Sequence, residues 1–384
     1  MEQAVRPEPK RILGWKHPVE IAPRPVRTVS SRNTVAPLRA FMIGLLPSGT
    51  NLLSEVLELE QQPNIITVDA LFRDSFLACC VNSAVVNGNL HWSPTVKAEV
   101  SDSINRDLRR AEESTLRARP QQNNPTTTTT TAHPTTTMNP TGNNTTTNSN
   151  KTTLCASICA PWLINPAVFN KDAPQMVAMN WEFFKAATPP TYMSPTVGFT
   201  WDWRNQTILP DQYLRTWQLT FVITHPVILF PKIYRALHAE TNMPQAHRQG
   251  VAGLYMTYTW HRTLYDWARR RAMYRPVIVE TGQLSEEPGQ TIFKYYYITG
   301  LPVKGGVIPR REILEFKERH RAAHGAVVDA VRGVMGRRAR SFLDAWIEVE
   351  KGCWEAEFGE AAANFIERFV REAMADYEYL YALK

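Results

Sequence analysis

Cysteine is scarce in this sequence: Cys79, Cys80, Cys155, Cys159 and Cys353 are the five among 384 residues. An odd number with no repeated spacing excludes a disulfide framework. Cys155-x-x-x-Cys159 has no second Cys/His pair to complete a tetrahedral zinc site, so no metal is expected. The cysteines are expected to behave as small buried hydrophobes. Long apolar runs are also missing. The most apolar stretch, TFVITHPVILF at 220–230, contains His225 and Pro226 and falls short of the ~20 residues a bilayer span needs. The N-terminal MEQAVRPEPKRILGWKHP is charged and Pro-rich and lacks the apolar core of a signal peptide. These absences point to a soluble, cytoplasmic protein without a membrane partner.

Between residues 120 and 150 the sequence lacks every Asp, Glu, Lys and Arg: PQQNNPTTTTTTAHPTTTMNPTGNNTTTNSN. Such a tract has almost nothing to bury against the cost of ordering, and disorder is expected. The segment before it offers one clear strand, which cannot build a sheet. The tract, bounded as 120–153, therefore reads as an insertion in a surface loop, where added length costs little. Residues 1–37, rich in Pro, Arg and Val without a period, read as a flexible arm, leaving 38–384 as one domain.

What is present is enough for a large core: 43% hydrophobic residues, with a formal net charge of +7. The 43 basic residues are mixed with 36 acidic ones and form no long arm, so an anionic small molecule is served as well as a polynucleotide. No nucleic-acid motif is present, and no nucleic-acid partner is expected.

Short apolar runs at 38–46 (LRAFMIGLL), 217–223 (WQLTFVI) and 276–280 (PVIVE) fit buried parallel strands. Helical periodicity follows from Thr50, with Leu52, Leu53, Val56, Leu57 and Leu59 at three- and four-residue spacing. Further helices are expected at 70–84, 97–118, 228–237, 251–274, 310–350 and 354–381. The segment 288–306 reads as a hairpin or a second insertion. Strands alternating with helices predict an α/β fold: a three-layer domain with a central, mostly parallel sheet flanked by helices.

The stretch MIGLLPSGTNLL at 42–53 has two glycines separated by four residues, between a predicted strand and helix. That is the setting of a phosphate loop, in which backbone N–H groups and a helix N-terminus cradle an anion. The Lys of such a loop is replaced by Thr50 and its Ser/Thr by Asn51. The loop alone leaves a capped strand-to-helix turn and a phosphate site equally open.

Ser48-Gly49-Thr50 resembles the first nucleotide-binding motif of sulfotransferases, Pro-[Lys/Arg]-Ser-Gly-[Thr/Ser]-x, and Asn51-Leu52-Leu53 is similar to the form found in a fungal branch of that family. Trp162–Phe169, Ile208–Ala236, Leu264–Trp267, Pro276–Glu280 and Trp354–Leu380 resemble further segments of that branch, in the same order. The resemblance implies an α/β fold with a central parallel sheet. It also implies transfer of a sulfuryl group from PAPS to a hydroxyl of a hydrophobic or aromatic small molecule in specialised metabolism. The nucleotide-contacting positions it implies are Pro47, Ser48, Gly49, Thr50, Asn51 and Thr224. The family's cations are missing: Pro47 stands at the Lys/Arg position, Thr224 at the Arg after a later strand, and Ser157-Ile158-Cys159 at a Lys-x-His. Lys232, standing where the family has a Ser, and His225 could substitute as catalytic groups, because they lie at or after the end of the strand 217–223, where such sheets place ligands. With those cations gone, the alternative is a catalytically inactive protein on the same fold that binds or scaffolds.

Other groups carry weaker signals. His261 could be a ligand or a buried structural imidazole. Arg262 and Asp266 are spaced to brace one helix. Glu280 could face the cleft or cap a helix. Arg269–Arg271 and Arg337, Arg338 and Arg340 read as solvated helix faces. The aromatics between Trp181 and Trp203 could line an acceptor pocket or the core.

Overall fold

In a computed structural model the described residues are 39–45, 49–81, 93–117, 152–165, 202, 204–239, 245–301 and 342–384. The arm 1–37, all but the end of the 120–153 tract, the aromatic group around Trp181 and the arginines at 337–340 lie outside them. All described residues fall within one unit, Ala36–Lys384.

Five strands form one sheet: β1 (Arg39–Gly44), β2 (Ile65–Val68), β3 (Thr153–Cys159), β4 (Gln218–Ile223) and β5 (Val277–Glu280), in the order β2-β3-β1-β4-β5. Every pairing is parallel, with Ile43 opposite Ile158 on one side and Phe221 on the other. β1, β3, β4 and β5 are buried at every position, as a sheet covered on both faces must be. β1 alternates strictly. Phe41 and Ile43 enter one core, Ala40 and Met42 the other.

The helices are α1 (Gly49–Val56), α2 (Arg73–Val81), α3 (Pro94–Arg117), α4 (Ala160–Leu163), α5 (Asp211–Leu214), α6 (Pro226–Ala239), α7 (Gln245–Tyr255), α8 (Thr259–Arg271), α9 (Thr281–Glu286), α10 (Pro288–Thr299), α11 (Phe342–Phe358) and α12 (Glu360–Tyr381). Leu52, Leu53 and Leu57 with Leu284, Ile292 and Tyr295 put α1, α9 and α10 on one face of the sheet. Side chains of α2–α8, α11 and α12 fill the larger core on the other. This is the three-layer α/β fold the sequence predicted, with every observed strand pair parallel.

Several expectations change. Thr153, at the end of the predicted insertion, opens β3 and pairs with Ile65. Residues 38–119 hold β2 as well as β1. The segment 288–299 is a helix rather than a hairpin: Pro288 occupies its first turn and Gly300 ends it at φ 64°, the Pro-in, Gly-out pattern of helix ends. The helix expected at 251–274 is two, broken between Tyr255 and Thr259. The C-terminal break falls at Gly359, φ 85°, a left-handed backbone that favours glycine. Pro231 sits inside α6, where it removes one helical hydrogen bond.

Candidate functional site

The chain moves outward from β1 in both directions, to β3 on one side and β4 on the other. In open parallel sheets the ligand crevice lies at the carboxyl ends of the strands where the order switches. Here those ends are Gly44, Cys159 and Ile223. The predicted loop leaves β1 at this point, and α1 begins at Gly49, with Thr50 buried and Asn51 exposed. Pro47 and Ser48 lie outside the described residues. A helix start leaves its first N–H groups without intrahelical partners, and such groups are what an anion at a helix N-terminus takes up.

Thr224, the residue after β4, is held from two directions. Its N–H donates to the Tyr258 hydroxyl at 2.8 Å, and that hydroxyl donates to its carbonyl at 2.5 Å. Burial pushes the Tyr258 phenol well above its ordinary range, so it stays protonated and can make both bonds. The Thr281 hydroxyl reaches the Thr224 hydroxyl at 2.9 Å. Thr281 opens α9, and Glu280 caps that helix: its carboxylate accepts from Gly282 N–H at 3.0 Å and Gln283 N–H at 2.8 Å. Burial raises the Glu280 pKa, and those two N–H bonds lower it in part. The capping role expected as one of two for Glu280 is therefore realised.

His225 enters the same region. Its ring stacks on Trp346 at 4.4 Å between centroids and meets the edge of Tyr377 at 5.0 Å. Nδ1 accepts from the Val227 N–H at 3.3 Å, which satisfies an amide of the first turn of α6 and leaves the proton on Nε2 in the neutral ring. Burial pushes the imidazole down to about 4, so the ring is neutral at physiological pH. It can offer a hydrogen bond from Nε2 and is a weak proton acceptor there.

Lys232 stands further along α6. It lies six residues beyond Pro226 on α6, roughly 9 Å along a helix axis at 1.5 Å per residue. Burial, and then the neighbouring Arg235, lower its pKa. Arg235 itself bonds Glu357 of α11 through two nitrogens, at 2.5 and 2.6 Å.

His261 is fully buried on α8 against Phe221 and Tyr258. Burial drives it down to about 3, against a smaller opposing pull from the Ile43 carbonyl. No partner meets its nitrogens in hydrogen-bond geometry, so it packs as a neutral ring under the end of β1. Arg262 and Asp266 do not brace one another. Arg262 bonds Asp376 at 2.7 Å, and Asp266 accepts from the Tyr379 hydroxyl at 2.7 Å, both on α12. Arg271, in the basic run, pairs with Asp202 at 3.0 Å.

At the ends of β1, β3 and β4, residues 44–45, 159–160 and 223–225 include no Lys or Arg. Ser157 and Cys159, at the position of the missing Lys-x-His, are buried in β3. Four of the cysteines are buried as expected, and burial pushes the Cys80 and Cys155 thiols up to about 12; Cys353 is instead exposed. No group of three or more His, Cys, Asp or Glu among the described residues could hold a metal. No described helix is long and apolar enough to cross a membrane. Sequence reasoning missed Tyr258, Thr281, Trp346 and Tyr377 as members of this cluster. The local sequence marks Tyr258 only as part of a predicted helix.

Comparison with known proteins adds an independent line. The chain is 28% identical over 193 residues to the protein named Sulfotransferase ppzF of Metarhizium majus (strain ARSEF 297), covering 46% of this chain and 56% of that protein. It is 30% identical over 198 residues to Sulfotransferase ppzF of Metarhizium rileyi (strain RCEF 4871), with the same coverage. The chain thus spans about half the length of the curated relatives it matches. No family model matches the sequence, and no solved structure matches it.

Proposed function

We propose, for a chain similar over part of its length to two fungal proteins named Sulfotransferase ppzF, that it transfers a sulfuryl group from PAPS to a hydroxyl of a small hydrophobic or aromatic molecule in specialised metabolism. The observation that carries this reading is the placement of α1. It starts at Gly49 directly after the central strand, at the switch point of an all-parallel sheet, where backbone amides can hold an anion without a side-chain cation.

The residues fit such a donor through backbone and hydroxyl groups. Gly49, Thr50 and Asn51 would offer its 5′-phosphosulfate backbone and hydroxyl donors, with Pro47 and Ser48 ahead of them in the motif, and Thr224 would join them from the end of β4. When bound, PAPS supplies the electrophilic sulfuryl group and leaves as 3′,5′-ADP. Sulfuryl transfer resembles phosphoryl transfer in depending on positioning and on donors aimed at developing charge. His225 would serve as such a donor through Nε2–H, its ring fixed by Trp346 and by the Val227 amide. Tyr258 would keep Thr224 in place.

Calorimetric titration of the purified protein with 3′,5′-ADP tests the reading. Micromolar binding that Gly49→Asp abolishes is the expected outcome. No binding at millimolar ligand would remove PAPS from the function and leave only the inherited fold.

A further inference from the structure

The C-terminal end of α12 reaches the same edge of the sheet. Tyr377 packs against His225 and Tyr258, and Tyr381 lies 5.8 Å from Tyr377, centroid to centroid. Three residues beyond Tyr381, the Lys384 ammonium sits 3.2 Å from the centre of the Tyr381 ring. It is withdrawn from solvent and has no hydrogen-bond partner. It lies within electrostatic reach of Glu280 without a direct ion pair. Both Glu280 oxygens already accept from the Gly282 and Gln283 amides. A buried ammonium that makes three donors available and uses none is costly to maintain. A π-face offsets part of that cost.

The geometry points to Lys384 as the cation of this site: a binding residue for a phosphate- or sulfate-bearing ligand at the carboxyl ends of β4 and β5. The charge that the sequence lacks at Pro47, Thr224 and Ser157–Cys159 is supplied from the far end of the chain. Tyr381 holds the ammonium in place, on the side of the site where Glu280 ends β5. The inference deepens the PAPS reading but does not stand or fall with it, because it concerns the anion and not the nucleoside.

The test is titration of the full chain and of Lys384→Met with two probes, inorganic pyrophosphate and 3′,5′-ADP, with thermal melting run alongside. A charge-assisted bond lost on binding weakens affinity by about tenfold or more. The expected result is that loss for both probes in K384M, with Lys384→Arg retaining most of the affinity. Equal affinity of K384M and the unchanged chain for 3′,5′-ADP would overturn the role of Lys384 and leave the PAPS reading standing. Lys384-dependent binding of pyrophosphate without binding of 3′,5′-ADP would keep Lys384 and remove PAPS. Binding of neither probe by the unchanged chain would overturn both. If K384M melts early, K384R decides: melting restored without any effect of the charge on probe affinity in high and low salt would make Lys384 a packing residue and overturn the proposal.

Discussion

The hydroxyl of Tyr258 closes both polar groups of the Thr224 backbone, accepting from its N–H at 2.8 Å and donating to its carbonyl at 2.5 Å. One side chain from the start of α8 thus does at the end of β4 what a neighbouring strand does along the rest of it. The consequence is a fixed strand end at the place where the sheet's ligand crevice opens.

Tyr258→Phe keeps the ring against Phe230 and His261 and removes only the hydroxyl. It leaves an amide and a carbonyl without partners in a half-buried place, which costs about 2 kcal/mol. Urea denaturation should show that loss, with the slope of the transition unchanged. A variant as stable as the parent would mean that water replaces both bonds and that Thr224 is not fixed by Tyr258.

Acid should unfold this protein through its imidazoles. His225 is held down to about 4 by burial, against an ordinary value near 6.5. Its folded form therefore binds fewer protons than its unfolded form across that window. The stability it protects is complete above about pH 6.5 and is lost as the pH falls toward 4, by about 3 kcal/mol at most. His261, held down to about 3, adds a loss of the same sign that continues to lower pH. His225→Phe retains an aromatic partner for Trp346 and cannot be protonated. Its stability should fall less than the parent's between pH 6.5 and 4. Parallel curves for the two proteins would show that His225 is not held neutral by the fold.

The C-terminal helix is docked by polar contacts to α8. Asp376 accepts from Arg262 at 2.7 Å and from the Thr259 hydroxyl at 2.9 Å, and Arg262 stacks over Tyr379 at 4.4 Å. Arg262 is 36% exposed, so solvent screens much of the charge term. Asp376→Ala should cost about 1 kcal/mol, and a double-mutant cycle with Arg262→Ala should give a coupling below about 1 kcal/mol. A larger coupling would show the pair to be shielded from water.

The fold could be read where a strand was a continuous apolar run, as in β1, β4 and β5. β3 escaped because TLCASIC carries Cys, Ala and Ser, which have little β preference, although all seven residues are buried. Its strand character comes from its place between β1 and β2, which local sequence does not carry. The residues 288–299 misled for the opposite reason. Thr291, Ile292 and three tyrosines favour strands, but packing of Ile292 and Tyr295 into the core under the sheet selects the helix. Within the candidate site, the strand-loop-helix setting at 42–53 was legible from spacing, whereas Thr224 was named only through the resemblance. Tyr258, Thr281, Trp346 and Lys384 were not legible, because each joins the site through tertiary contacts across 34 to 57 positions or more of chain. The Arg262–Asp266 spacing was legible but deceptive: each found a partner on α12.

The break between α11 and α12 depends on one backbone angle. Gly359 has φ 85°, and a Cβ built there meets nothing within 4 Å. Gly359→Ala therefore introduces no clash, and its whole effect is the strain of holding an L-residue in that conformation, about 1 kcal/mol or somewhat more. The loss should appear as a lower denaturation midpoint. Because Trp354 and Ile366 on either side of the break belong to the main core, the two helices cannot simply merge into one to relieve the strain. A stabilised variant would mean that they do merge, with the φ of residue 359 turning negative. The α12 contacts to Arg262 and Asp266 would then shift, and the Asp376→Ala penalty would shrink in the same background.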